Sequence, residues 1–175
     1  MKLLQRLFGS RPNPTEDWPI VHNSLPDFDI TRMQLGSLTF GDTIQKAKSI
    51  GRPDAVEWLD KDYLQLVYRS LGLLLEFESQ RLCYIGLIVA SGDFDHKLSD
   101  MKCAFPRIAF EDGRNVVLSH ENHVEQIKSI FGEPTSIDSD DVEVILLYKQ
   151  GVINMEFEFS PQGKSLRRWN IYLEK

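Results

Sequence analysis

The residues whose spacing comes nearest to a chemical site are His120-Glu-Asn-His123. Two imidazoles at i and i+3 on a helix share a face and could hold one metal, with Glu121 or Glu125 beside them. The pattern departs from H-E-x-x-H, where the imidazoles stand at i and i+4 and the glutamate is the base. Polar residues are ordinary in a first helical turn, so the cluster reads as a solvated helix start. Asp93-Phe-Asp-His96 and Asp138-Ser-Asp-Asp141 offer carboxylates but lack the glycine and terminal glutamate of a calcium loop. They read as turns in which aspartate bonds its own backbone. Cys83 and Cys103 stand in strand-like apolar contexts and read as small core residues, with nothing to mark a thiolate or a bridge. The chain contains no G-x-S-x-G, P-loop or G-x-G-x-x-G motif. No catalytic residue, metal ligand or cofactor is therefore assigned.

A more informative feature is a repeated acid pattern, Glu76-Phe-Glu78 and Glu156-Phe-Glu158. On a strand of period two the phenylalanines face one side and the glutamates the other. By the same alternation the glutamate face carries Arg69, Tyr84, Ile88, Lys149, Arg168, Asn170 and Tyr172. Paired carboxylates do acid–base work when their surroundings split their pKa values; otherwise they form a solvated face. Tyrosine and arginine among acids are interface residues, giving contact area and bidentate hydrogen bonds. Glu76, Glu78, Tyr84, Glu156, Glu158, Arg168 and Tyr172 are the candidate partner-binding set. Phe77, Phe157 and Trp169 are expected in the core, and the four glutamates largely exposed. Glu158→Gln would then be nearly neutral for stability. Trp18 and Trp58 fall in loop-like stretches and are expected to pack on the core or on an arm.

Behind these residues lies a recurring set of elements. Lys48, Ser49, Ile50, Tyr68, Glu76, Phe77 and Glu78 each recur identically 80 positions later. Each half reads as a strand (Thr31–Leu35, then Met101–Phe110) followed by a short helix, near 42–51 and 119–131. Asp42 and Ser119 are the expected caps. Ile44, Ala47 and Ile50 share one helical face, as do Val124, Ile127 and Ile130. Gly51-Arg-Pro53 and Gly132-Glu-Pro134 stop the helices. A polar loop then leads into three strands with alternating apolar residues. The reading is α+β: two tandem pseudo-repeats, each a strand and short helix packed on an antiparallel sheet.

The 175 residues are 42% apolar and 26% charged, enough for a core without disulfides or metal. The excess of 26 Asp+Glu over 20 Lys+Arg, a net charge of −6, argues against nucleic-acid binding and leaves a basic protein partner open. No run approaches the roughly 20 apolar residues of a membrane span. Residues 1–29 read as an N-terminal helix and extended arm, 30–91 as the first unit, 92–100 as a linker and 101–175 as the second unit, within one compact domain. Met1–Gly9 is basic and apolar but lacks the core and cleavage site of a secretory signal, so a cytoplasmic location is expected. Its Leu3, Leu4, Leu7 and Phe8 dock on the body or touch a membrane surface or partner.

Two helix-then-sheet units, each with a G-x-P stop, resemble the beta-lactamase inhibitory protein superfamily over residues 30–175. The pattern is also similar to the single-unit outer-membrane assembly lipoproteins, and more loosely to bacterial immunity proteins. The resemblance implies the fold and a protein-binding role. The expected function is non-enzymatic, intracellular protein binding of an inhibitor or immunity type, through an acidic sheet face that meets a basic toxin or enzyme. A small-ligand binder or enzyme with a cavity between the sheets is one alternative, and an adaptor or secretion chaperone another.

Overall fold

A computed structural model of the chain describes residues 12–20, 24–90 and 100–174. The expectations for Met1–Gly9 and for Asp93–His96 lie outside the described residues.

The alternating segments come together in one antiparallel sheet rather than one per half. Its strands in chain order are β4 (Ala55–Asp60), β5 (Tyr63–Tyr68), β6 (Leu73–Glu78) and β7 (Arg81–Ile88), then β10 (Ser136–Ser139), β11 (Val144–Gln150), β12 (Ile153–Phe159) and β13 (Leu166–Leu173). The spatial order is β10-β11-β12-β13-β7-β6-β5-β4, so the last strand of each run meets the other at the centre. A smaller sheet is built from β1 (Phe28–Asp29), β2 (Gln34–Leu35), β3 (Leu38–Thr39), β8 (Arg107–Ala109) and β9 (Asn115–Val117). Its order is β3-β2-β1-β8-β9, with β1 and β8 parallel. The fold is thus mixed α+β and mostly sheet.

Several boundaries differ from the sequence reading. The expected opening strands of the two halves belong to the small sheet and are short. Arg32 and Met33 sit in a turn where the Asp29 carboxylate accepts the Thr31 and Arg32 backbone amides at 3.0 Å. The first helix is a 3-10 helix, Ile44–Ser49, preceded by Thr43; the second, α1, is Val124–Phe131, preceded by His123. Asp42 instead accepts the Thr39 amide at 2.9 Å, and Ser119 closes its own turn with Asn122. Each run has four strands, because Ala55–Asp60 and Ser136–Ser139 pair as edges where a polar loop was expected. Trp58 accordingly lies in an edge strand.

The period-two pattern sets which side of the large sheet is the core. Leu75, Phe77, Ile85, Leu87, Leu146, Phe157, Trp169 and Ile171 all point inward and are fully buried. Phe157 stacks on Trp169, with ring centroids 5.5 Å apart and planes at 7°. Phe131 of α1 lies 5.0 Å from Phe157, and Phe28 of the small sheet meets Trp169 edge-on at 5.0 Å. Small sheet, α1 and 3-10 helix together cover this inner face and fill the space between the sheets. Tyr68 hydroxyl donates to the Gly51 carbonyl at 3.2 Å and Tyr148 hydroxyl to the Gly132 carbonyl at 3.0 Å, tying each helix end to its second strand. Trp18 packs into the core, as expected of it, and is 3% exposed.

One end of the outer face is also covered. Val67, Leu74 and Ile88 pack there against Met101. The segment returns across β7 through Ala104 amide to Ile88 carbonyl (2.6 Å) and Lys102 amide to Arg69 carbonyl (2.9 Å). Arg69 lies in the 3-10 turn Arg69–Leu71, paired with Asp100 at 2.6 Å, rather than on the sheet face. No helix among the described residues is long and apolar enough to cross a membrane.

Candidate functional site

The uncovered part of the outer face forms a groove of about 670 Å³ across the centre of the large sheet. Strand register decides which side chains meet there. Gln65, Glu76, Tyr84, Tyr172, Asn154 and Lys149 stand opposite one another in a lateral row across β5, β6, β7, β13, β12 and β11. The next row places Gly86, Asn170 and Glu156 side by side. At Gly86 an added Cβ would stand 2.7 Å from the Tyr84 hydroxyl. Only a bare backbone lets the Tyr84 ring lie flat there and donate to Asn170 Oδ1 at 2.6 Å.

From this register a hydrogen-bonded network follows. Asn170 Nδ2 donates to Glu158 Oε1 at 2.5 Å and to Glu156 Oε1 at 3.3 Å. Tyr172 hydroxyl donates to Glu156 Oε2 at 3.0 Å. Across the sheet, Glu76 accepts from Tyr63 hydroxyl at 2.6 Å and from Gln65 Nε2 at 2.8 Å. Arg168 Nε stands 3.6 Å from Glu158 Oε2. The structure therefore brings Glu76, Tyr84, Glu156, Glu158, Arg168 and Tyr172 onto one face, with Glu78 exposed at the end of β6.

Facing outward is not the same as being exposed. Glu76, Glu156 and Glu158 are half-buried, and the Glu158 side chain is only 15% exposed. Neighbouring tyrosine and asparagine side chains lie over them, which corrects the expectation of a solvated acidic face. Burial pushes the Tyr63 and Tyr84 phenols upward and Tyr172 up to about 12, with Glu156 adding to the last. These phenols stay protonated at neutral pH and remain donors, Tyr63 and Tyr172 to carboxylates and Tyr84 to the Asn170 side-chain carbonyl. Burial likewise raises the Cys83 thiol, which donates to the Glu76 carbonyl at 3.4 Å.

Glu158 carries a pH signature. Burial raises its carboxyl above the usual glutamate value, against the lowering pull of Arg168 and the Asn170 amide. A raised carboxyl favours the folded state fully below the unfolded value of about 4.3 and loses that contribution as pH rises through the folded value. The wild-type stability relative to Glu158→Gln is therefore expected to fall on going from pH 4 toward neutrality and then level off. Denaturant titrations of both proteins across this range check it, and a difference that rises with pH would contradict it.

The sequence reading of the site missed Tyr63, Gln65 and Asn154, and placed Asn170 on the face without a role. Outward phase in β5 and β12 was the available signal. The histidine pair is not a helical i and i+3 pair, because α1 begins at Val124, after both residues. His123 precedes the helix with its backbone amide bonded to Gln126 Oε1 at 3.1 Å. Asp140 accepts the Val142 and Glu143 amides at 2.7 and 2.9 Å, the expected turn.

No protein-family model and no curated protein matches the chain. Among solved structures, a DUF4309 family protein (YjgB) from Bacillus subtilis is similar over 82% of this chain and 88% of its own, at 13% identity and a TM-score of 0.49. A cysteine-rich secretory protein from Staphylococcus aureus is similar over 93% of this chain, at 16% identity and a TM-score of 0.42. This chain spans 49% of that protein.

Proposed function

We propose that the chain is a non-enzymatic protein-binding protein of the inhibitor or immunity type, with the outer face of its large sheet as the contact surface. The observation that carries this reading is the groove's lining, Glu78, Glu156 and Glu174 with Tyr63, Tyr84 and Tyr172, with Lys149 beside it paired to Glu174 at 2.6 Å. Fixed tyrosines supply contact area at little entropic cost. An excess of carboxylates in the lining favours a partner that presents basic residues. Cys83 and Cys103 are thiols rather than disulfide partners, which suits a reducing compartment and supports the cytoplasm as the site of action.

The resemblance to the beta-lactamase inhibitory protein superfamily belongs to the same reading. We infer a duplication, supported by the mirrored strand order and by the paired Tyr68–Gly51 and Tyr148–Gly132 hydrogen bonds.

The test is binding kinetics with a partner recovered from the source cell. The double variant Glu78→Gln/Glu174→Gln changes two exposed rim carboxylates. It should associate severalfold more slowly than wild type at low ionic strength, with the gap closing near 1 M salt, where the screening length is about 3 Å. Equal on-rates at low salt would remove this face from the contact.

A further inference from the structure

Within the groove, one polar group is left without a partner. Asn154 is 9% exposed, and its side-chain amide has no hydrogen-bond partner among the described residues. Asn154 lines the groove, so its amide opens onto that space, where an incoming polar group can meet it. Glu156 lies two residues along the same face of β12, with Cβ atoms about 6–7 Å apart. Its carboxylate is held in a fixed orientation by Asn170 Nδ2 at 3.3 Å and Tyr172 hydroxyl at 3.0 Å. Both donors are neutral, so they orient the charge without cancelling it.

We propose that Glu156 and Asn154 form a subsite for a guanidinium group, an arginine side chain of the partner, an inference that rests on the sheet-face reading above. A guanidinium presents several donors in one plane, enough to reach the Glu156 carboxylate and the Asn154 carbonyl together. Its flat face suits the tyrosine rings of Tyr84 and Tyr172 beside them. An ammonium group carries its three donors on one small, strongly hydrated centre and lacks the flat fork that spans two separated acceptors.

The probe is N-acetyl-arginine amide, titrated into the full isotope-labelled chain while the Asn154 side-chain amide signal is followed by NMR. The arginine probe should shift that signal together with those of Asn170 and Tyr172. N-acetyl-citrulline amide, of the same shape without the charge, should bind at least about tenfold more weakly. Glu156→Gln should weaken the arginine probe by about tenfold, and Asn154→Ala, read on Tyr172, by about three- to fivefold. Equal shifts from the arginine and citrulline probes would overturn the subsite. So would unchanged affinity in Asn154→Ala, and the wild-type comparison of probes decides the matter if Glu156→Gln loses its dispersed spectrum. A partner whose on-rate depends on Glu78 and Glu174 but whose affinity ignores Glu156→Gln leaves the sheet face standing and removes the subsite. A partner indifferent to all of them removes both.

Discussion

Replacing Phe157 by alanine is expected to cost about 3–5 kcal/mol of folding stability. Its ring is fully buried and touches three others: Trp169 stacked at 5.5 Å, Tyr148 edge-on at 5.6 Å and Phe131 at 5.0 Å. Removing it takes away the transfer free energy of the ring and leaves a cavity bounded by rigid aromatic walls, which collapse poorly. The damage reaches the groove, because Phe157 and Glu156 are neighbours on β12 and Trp169 adjoins Asn170 on β13. A urea titration should show a lower midpoint at an unchanged slope. A loss below about 1 kcal/mol would mean that β12 presents its other face to the core.

The second large effect is expected at Gly72. Its φ of 62° lies in the left-handed region, and an added Cβ would stand 2.8 Å from the Ala104 amide nitrogen and collide with the Lys102 carbonyl. Both neighbours are backbone atoms of the segment that returns across β7, so neither moves without breaking the Ala104 to Ile88 hydrogen bond. Gly72→Ala should therefore destabilise by roughly 2–4 kcal/mol, conformational strain and steric overlap together. Gly113 is the control: its φ is 83°, but nothing lies within 4 Å of an added Cβ. Gly113→Ala should cost only about 1 kcal/mol, the left-handed preference by itself. Equal losses at the two positions would show that the returning segment does not press on Gly72.

Local periodicity carried much of the architecture. The alternation through Ile153–Phe159 placed Phe157 inside and Glu156 outside, and it was right because one face of β12 is buried against α1 and Trp169. The same argument placed Phe77 and Trp169 correctly in the core. What periodicity could not supply was register. Whether Glu156 is open to water depends on Asn170 standing opposite it and on Tyr172 reaching back along β13, and those pairings join distant segments. The merging of both strand runs into one sheet is equally non-local, fixed by β7 pairing with β13.

Short-range chemistry failed where it was atypical. The turn between β6 and β7 uses Ser79 and Gln80 at φ of 49° and 66°, a conformation normally signalled by glycine or asparagine. Ala55–Asp60 read as a loop because Glu57 and Asp60 interrupt its apolar residues, yet an edge strand tolerates them on its solvent side. The helix starts shifted by a few residues because Asp42 and Ser119 satisfy turns of their own before Ile44 and Val124 begin.

The claim that the outer sheet face is the contact surface is tested most directly by side-chain radical footprinting of the chain, free and bound to a recovered partner. The account predicts that labelling of Tyr63, Tyr84 and Tyr172 falls on binding. Ile20 and Trp58, exposed outside this groove, should keep their labelling. Protection of Ile20 and Trp58 with all three tyrosines unchanged would contradict it.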